Sequence, residues 1–159
     1  MDIHDRRLAK LVKKCKDIPG YDLFQYYDEN GERRALESGD VNEYIQEVSG
    51  ADFTAKDFRT WGGTVLMVEC LENLIEEKPE LEKEKTVKEA FKQVAKGLGN
   101  TPAVCSKYYV HPQVLDFFKE DKLFDFLKDH DASKPAEEFI SPSEKLVLEM
   151  LKTVKNEIK

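Results

Sequence analysis

Cysteine, long apolar runs and the common catalytic signatures are all scarce in this 159-residue chain. Its three cysteines, Cys15, Cys70 and Cys105, are widely spaced and form no C-x-x-C pair, which argues against a disulfide framework or a zinc site. No apolar run approaches the roughly 20 residues that span a bilayer, and the polar start is unlike a signal peptide. We therefore expect reduced thiols, no membrane association and a cytoplasmic protein.

Motifs for metal or nucleotide chemistry are absent as well. The sequence has no Gly-rich phosphate loop, no pair of carboxylates at catalytic spacing and no H-E-x-x-H. We expect no cofactor.

The net charge of −7 argues against a protein that holds nucleic acid through bulk charge alone. The charge is unevenly distributed, however. Residues 1–16 carry six basic side chains against two acidic ones, whereas acidic residues crowd 69–84 and the segment after Asp116. This pattern allows a local basic face on an acidic body.

Helical periodicity dominates the chain, and its length and 40% apolar content suit one domain. We predict a mainly α fold with a minor β element near Leu23–Arg34. Start and stop signals predict helices over residues 5–17, from Ser38 to Gly50, from Thr54 to Ile75, from Thr86 to Gly99, and after Thr101, Pro112 and Ser141.

Two details of these helices carry specific expectations. The Thr86-x-x-Glu89 pattern predicts a capping box that opens its helix. Gly62 and Gly63 lie inside a long apolar helix at a cost of roughly 1 kcal/mol each. We expect another helix to approach closely at that point and offset this cost.

A tyrosine beside a short polar helix start, together with an arginine on a separate helix, suits nucleophilic attack on a phosphodiester. The tyrosine forms the covalent bond, and the arginine neutralises charge on the phosphoryl oxygens. The segments in question are 53–61, which contains Arg59, and 99–112, which contains Tyr109. This pairing points to DNA strand cleavage.

The same segments resemble the type IB DNA topoisomerases, in particular bacterial and poxvirus-like members, which are related to tyrosine recombinases. The resemblance also covers Asp5-Arg6-Arg7-Leu8-Ala9-Lys10, Asp22-Leu23-Phe24-Gln25-Tyr26 and Ser38-Gly39-Asp40-Val41-Asn42-Glu43-Tyr44. It continues to about Leu115 and fades beyond about Asp125. Several segments matching in order form a more specific signal than any single motif.

The resemblance implies a role for particular residues. Arg59 matches the second of two catalytic arginines in the family, and Tyr109 matches the nucleophile. Asn100 matches a position whose side chain contacts a non-bridging oxygen of the scissile phosphate. Lys56 matches the His of the recombinase His-x-x-Arg motif, and we expect Lys56 and Lys107 to contact DNA phosphates.

Two other family residues have no counterpart here. The resemblance implies a catalytic Arg on a helix and a catalytic Lys on a β-hairpin, both upstream of the segment that matches Asp5. We therefore interpret residues 1–125 as the C-terminal part of a catalytic domain and residues 126–159 as a linker, centred on 128–138, and a final helix. We expect the isolated chain to be a monomer that does not relax supercoiled DNA, with duplex DNA and the missing N-terminal part as its partners.

Other interpretations stay open at this point. The chain could be a tyrosine recombinase, with the same chemistry but exchanged strands, or a DNA-binding or interaction domain without activity. Arg59 could be a surface arginine, Tyr109 a packed tyrosine, and Tyr108 is an adjacent rival. Asn100 could be a helix C-cap in the left-handed conformation, and the basic run Lys10–Lys16 a solvated helix face.

Overall fold

Helices account for most of the structure, a computed structural model that describes residues 5–128 and 140–157. In these residues eight helices and one two-stranded ribbon are present, which confirms the mainly α prediction. The chain divides into two compact units, Met1–Asp57 and Phe58–Lys159. No helix of the described segments is long and apolar enough to cross a membrane.

The first unit contains α1 (Arg6–Lys16), a β-ribbon and α2 (Ser38–Ser49). The carboxylate of Asp5 accepts the backbone N–H groups of Arg7 and Leu8 and so begins α1. Gly50, with φ of 65°, ends α2 in the left-handed conformation. Both helices therefore start and stop where local signals predict.

The β element lies where it was predicted. Strand β1 (Gln25–Tyr27) pairs antiparallel with β2 (Arg33–Ala35), and Tyr26 lies opposite Arg34. Among the described residues of this unit only Gln25 is buried. The side chains of Leu8 and Leu11 on α1 are 49% and 56% exposed. The unit thus rests on caps and turn hydrogen bonds rather than on a core.

The core lies in the second unit, along α3 (Ala55–Glu77), which begins in the first unit and continues through the second. Each fully buried Leu or Met contributes about 1.5–3 kcal/mol relative to exposure. Around α3 are α4 (Lys83–Leu98), α5 (Pro102–Tyr108), α6 (Pro112–Lys119), α7 (Leu123–Leu127) and α8 (Pro142–Glu157). The largest fully buried side chains are Phe118, Met67, Leu71, Leu74, Leu123 and Met150.

The predicted capping box at Thr86 is wrong. Helix α4 begins three residues earlier, at Lys83, and Thr86 is buried within its first turns. Its hydroxyl donates to the carbonyl oxygen of Glu82 at 3.1 Å, four residues back. A threonine hydroxyl inside a helix can donate its hydrogen bond to a carbonyl one turn back. The Thr-x-x-Glu pattern alone therefore does not determine where the helix begins.

Helix α8 is fastened to the second unit by its first turn. Ser141 and Glu144 form the predicted cap, since the Ser141 N–H donates to Glu144 Oε2 at 2.8 Å and the Glu144 N–H to Ser141 Oγ at 3.2 Å. The other carboxylate oxygen of Glu144 accepts the indole N–H of Trp61 on α3 at 3.0 Å. Further along α8, Val147 and Met150 are fully buried. The linker predicted at 128–138 lies, apart from Lys128, outside the described residues.

We predict that Glu144→Ala lowers the free energy of unfolding by about 1–2 kcal/mol at pH 7, since it removes the cap and the Trp61 acceptor. The Ser141 N–H and then the Trp61 indole hold the Glu144 pKa below its usual 4.5. The contribution of Glu144 to the free energy of unfolding is therefore complete above pH 4.5. It is lost as the pH falls through the lowered pKa.

Urea denaturation followed by circular dichroism at pH 7 and at acidic pH measures this difference. Glu149→Ala, exposed on the same helix, is the matched control and should change stability by less than about 0.5 kcal/mol. Equal stability of Glu144→Ala and the wild-type chain at pH 7 would show that this contact does not hold α8.

Candidate active site

Arg59 lies on the second turn of α3, with its side chain exposed. Its Nη2 donates to the carbonyl oxygen of Leu98 at 2.7 Å. The guanidinium carbon lies 5.3 Å from the centre of the Tyr109 ring, within the range of a cation–π contact. In the described part of the chain Arg59 forms no ion pair with a carboxylate. Its guanidinium instead contacts the Leu98 carbonyl oxygen and the Tyr109 ring.

Asn100 converges on the same carbonyl oxygen. Its Nδ2 donates to Leu98 O at 3.1 Å, while its backbone N–H donates to Ala95 O at 2.9 Å. The left-handed residue at this helix end is Gly99, with φ of 64°. The interpretation of Asn100 as a left-handed C-cap is therefore wrong, although its side chain does cap the last carbonyl of α4. Asn100 and Arg59 share one acceptor at one surface.

Tyr109 follows α5 directly, and local signals place it there. Thr101 Oγ1 accepts the Val104 N–H at 3.3 Å, and Pro102 occupies the first helical position, as predicted. The Tyr109 side chain is half-buried against the core. His111 then begins α6, with Nδ1 accepting the Gln113 N–H at 3.3 Å. The short helix α5 thus brings Tyr109 beside Arg59.

The two adjacent tyrosines have different surroundings. Tyr108 is 46% exposed, and Lys107 Nζ lies 5.0 Å from the centre of its ring. Arg59 contacts the ring of Tyr109 instead. Each tyrosine ring therefore has a different cationic neighbour.

The close approach predicted at the glycine pair occurs at Gly63 only. A Cβ atom on Gly63 would lie 2.2 Å from the carbonyl oxygen of Tyr109, whereas one on Gly62 would meet nothing within 4 Å. The approaching group is the backbone that follows α5 rather than the side of a helix. Gly63 therefore allows Tyr109 to lie directly against α3.

Hydrogen bonds and a cation–π contact bring three of the five predicted site residues together. Arg59, Asn100 and Tyr109 form one cluster in the second unit, and Lys107 lies beside it over Tyr108. Lys56 is exposed on the first turn of α3, three residues before Arg59. Sequence reasoning missed the acceptor, Leu98 O, because a backbone carbonyl leaves no signal in the residue type.

Cys105 on α5 is buried near Arg59. Burial raises the pKa of the Cys105 thiol on α5, although the nearby charge of Arg59 acts in the opposite direction. In the segments that the structure describes, no three His, Cys, Asp or Glu side chains are grouped so that they could hold a metal ion. What the arrangement offers is a phenol beside hydrogen-bond donors, one of them cationic, which suits transfer of a phosphoryl group to oxygen.

A tyrosine, an arginine and an amide donor thus lie together on this helical scaffold. Residues 1–133 match the family described as eukaryotic DNA topoisomerase I, catalytic core, and the chain belongs to that family. This confirms the type IB topoisomerase resemblance.

One similar protein is the DNA topoisomerase 1B of Acanthamoeba polyphaga mimivirus. It is 36% identical over 122 aligned residues, and the match covers 71% of this chain and 36% of the viral protein. The chain thus spans little more than a third of the length of this relative.

The packing of α5 makes a prediction about thiol reactivity. Cys105 and Cys70 are buried, and burial raises the Cys70 pKa to about 11, whereas Cys15 is partly exposed. Because the thiolate is the reactive form, we expect Ellman's reagent at pH 8 to label Cys15 about 10²-fold faster than Cys70. We also expect Cys15 to react faster than the buried Cys105. Cys15→Ser should abolish the fast phase. Rapid labelling of Cys105 would show that α5 is not packed as described.

Proposed function

We propose that this chain carries the nucleophilic half of a type IB topoisomerase site, which cleaves and rejoins one strand of duplex DNA. The observation that supports it best is the convergence of Arg59 and Asn100 on Leu98 O beside the ring of Tyr109. Guanidinium has five N–H donors, so one hydrogen bond to a carbonyl leaves others for phosphoryl oxygens. The cluster is open to solvent at Arg59.

In the proposed reaction the Tyr109 hydroxyl loses its proton and its oxygen attacks the scissile phosphorus. The bond from phosphorus to the 5′ oxygen breaks, leaving a 3′-phosphotyrosyl linkage and, after protonation, a free 5′ hydroxyl. The broken strand rotates about the intact one, and the 5′ hydroxyl then attacks the phosphotyrosyl bond and releases Tyr109. The covalent linkage conserves the energy of the phosphodiester, so religation needs no separate energy source.

Arg59 has two tasks in this scheme. A phenol is a weak nucleophile at neutral pH, and a neighbouring cation assists its attack on phosphorus. The same charge stabilises the trigonal-bipyramidal transition state, where Asn100 adds an amide donor. Lys56 and Lys107 are proposed to contact phosphates of the backbone and so to position the duplex without reading sequence.

The proposed substrate binding also involves a polypeptide segment in addition to these 159 residues. The mimivirus relative is far longer, and the resemblance implies one more Arg and a Lys upstream. The apolar side of α1 supports a partner there, because Leu8 and Leu11 are about half exposed on a helix with no buried residue. We propose that a polypeptide with these elements completes the site and that the isolated chain alone does not relax plasmid. The monomeric state and the cytoplasmic location stay predictions.

Covalent capture tests the chemistry without requiring a proton donor for the leaving 5′ oxygen. If sulfur replaces the bridging 5′ oxygen, the leaving group departs as a thiolate and needs no acid. We expect the wild-type chain to form a denaturation-resistant adduct with a randomised duplex library of this type. Tyr109→Phe should abolish the adduct, and Arg59→Ala should slow it by about 10² to 10³.

Tyr108→Phe is the matched control and should react like the wild-type chain. An adduct that depended on Tyr108 would reassign the nucleophile. No adduct at all, in a chain that still binds duplex DNA, would favour the non-enzymatic DNA-binding interpretation.

Duplex binding should be weak and strongly dependent on salt, because it would rest on a few lysine and arginine contacts within a chain of net charge −7. We expect Lys107→Ala and Lys56→Ala each to reduce the slope of log K against log salt by about 1. Fluorescence anisotropy over about 50 to 200 mM salt measures this slope. Lys152→Ala, exposed on α8, serves as control. Tight binding that is insensitive to salt would contradict the proposed phosphate contacts.

A further inference from the structure

One face of α3, formed by Thr60, Gly63 and Thr64, contacts the backbone on both sides of Tyr109. These residues have the i, i+3, i+4 spacing that places side chains on one side of a helix. Thr60 Oγ1 donates to the carbonyl oxygen of Tyr108 at 3.3 Å. Thr64 Oγ1 accepts the N–H of His111 at 3.0 Å. The segment that carries Tyr109 is thus tied to α3 before and after the tyrosine.

Thr64 is the more constrained of the two threonines. It is 2% exposed, and its hydroxyl also donates to the carbonyl oxygen of Thr60 at 2.7 Å. Its proton is therefore committed to Thr60, and its lone pair is directed at the His111 N–H. Loss of this hydroxyl would leave a partly buried N–H without its acceptor, which destabilises a folded protein.

Gly63 lies between these two hydrogen bonds and sets the distance of approach. A Cβ atom there would lie 2.2 Å from the Tyr109 carbonyl oxygen and 3.2 Å from Leu98 Cδ1. The first contact is with backbone, which cannot rotate away as the end of a side chain can. Any side chain at position 63 would push the Tyr109 backbone off α3.

The same helix carries Arg59, one residue before Thr60. The Arg59 guanidinium carbon lies 5.3 Å from the Tyr109 ring centre, so both partners of this contact are attached to one helix. An error of about 1 Å in such an arrangement can cost about 10² in rate.

We infer that Thr60, Gly63 and Thr64 are positioning residues that hold Tyr109 against Arg59 through its backbone. The effect of these residues on reaction rate rests on the proposed function, whereas their effect on the placement of Tyr109 does not.

Fluorine NMR tests the placement without any reaction. The chain has six tyrosines, and after 3-fluorotyrosine incorporation Tyr109→Phe identifies the Tyr109 signal. We expect Gly63→Ala to shift that signal by more than its linewidth. Gly62→Ala should leave it in place, because that site is open. An unchanged Tyr109 signal in Gly63→Ala would overturn the inference, as would an equal shift in Gly62→Ala.

Single-turnover cleavage of the sulfur-bridged duplex tests the consequence for rate. We expect Gly63→Ala to lower the rate constant at least 10-fold with the Kd for duplex DNA within about 2-fold, and Gly62→Ala to match the wild-type chain. Loss of folded protein alone would lower the reaction amplitude and leave the rate constant unchanged. Thr64→Val should slow the reaction, and Thr64→Ser, which keeps the hydroxyl, should restore it. Thr60→Val provides a milder variant if Gly63→Ala does not fold.

A wild-type rate constant in both Gly63→Ala and Thr64→Val would overturn the positioning role. If the wild-type chain forms no adduct, the proposed function fails, and the fluorine spectra still decide whether this face fixes Tyr109.

Discussion

Burial of one side of α3 is the constraint on which the second unit depends. Met67, Val68 and Leu71 are fully buried on this helix, and such side chains cannot rotate to another face without exposing their apolar surface to water. Because an α-helix is rigid, burial of these residues also fixes the position of the turn that carries Arg59. The backbone position of Arg59 is therefore set by packing several turns away, and its side chain is held by Leu98 O and the Tyr109 ring.

Capping signals predicted several helix boundaries because they act within a few residues. Asp5, Thr101 and Ser141 each satisfy backbone N–H groups of the turn that follows, as their residue types suggest. Thr86 has the same local pattern but lies inside α4, where a carbonyl one turn back accepts its hydroxyl. A capping motif shows where a helix can begin, and tertiary packing determines whether the helix begins there. Helix α7 has only five residues and offered no periodicity to detect.

The candidate site was predictable in part. Arg59, Asn100 and Tyr109 were identified through the order of matching segments, and the structure places the three together. Their roles in a reaction stay predictions. The common acceptor, Leu98 O, could not be anticipated, since its function depends on where a helix ends in space. The i, i+3, i+4 arrangement of Thr60, Gly63 and Thr64 was visible in the sequence, but only the position of the Tyr109 backbone gives it meaning.

A single carboxylate both starts α8 and attaches it to α3, since Glu144 accepts the Ser141 N–H with one oxygen and the Trp61 indole with the other. Forming the first helical turn orients the carboxylate toward Trp61, and contact with Trp61 in turn holds the cap in place. Secondary structure and docking are therefore coupled at this residue, and α8 is expected to open as one cooperative unit rather than to fray from its first turn. In amide hydrogen exchange, that coupling would give the first turns of the helix a common opening free energy.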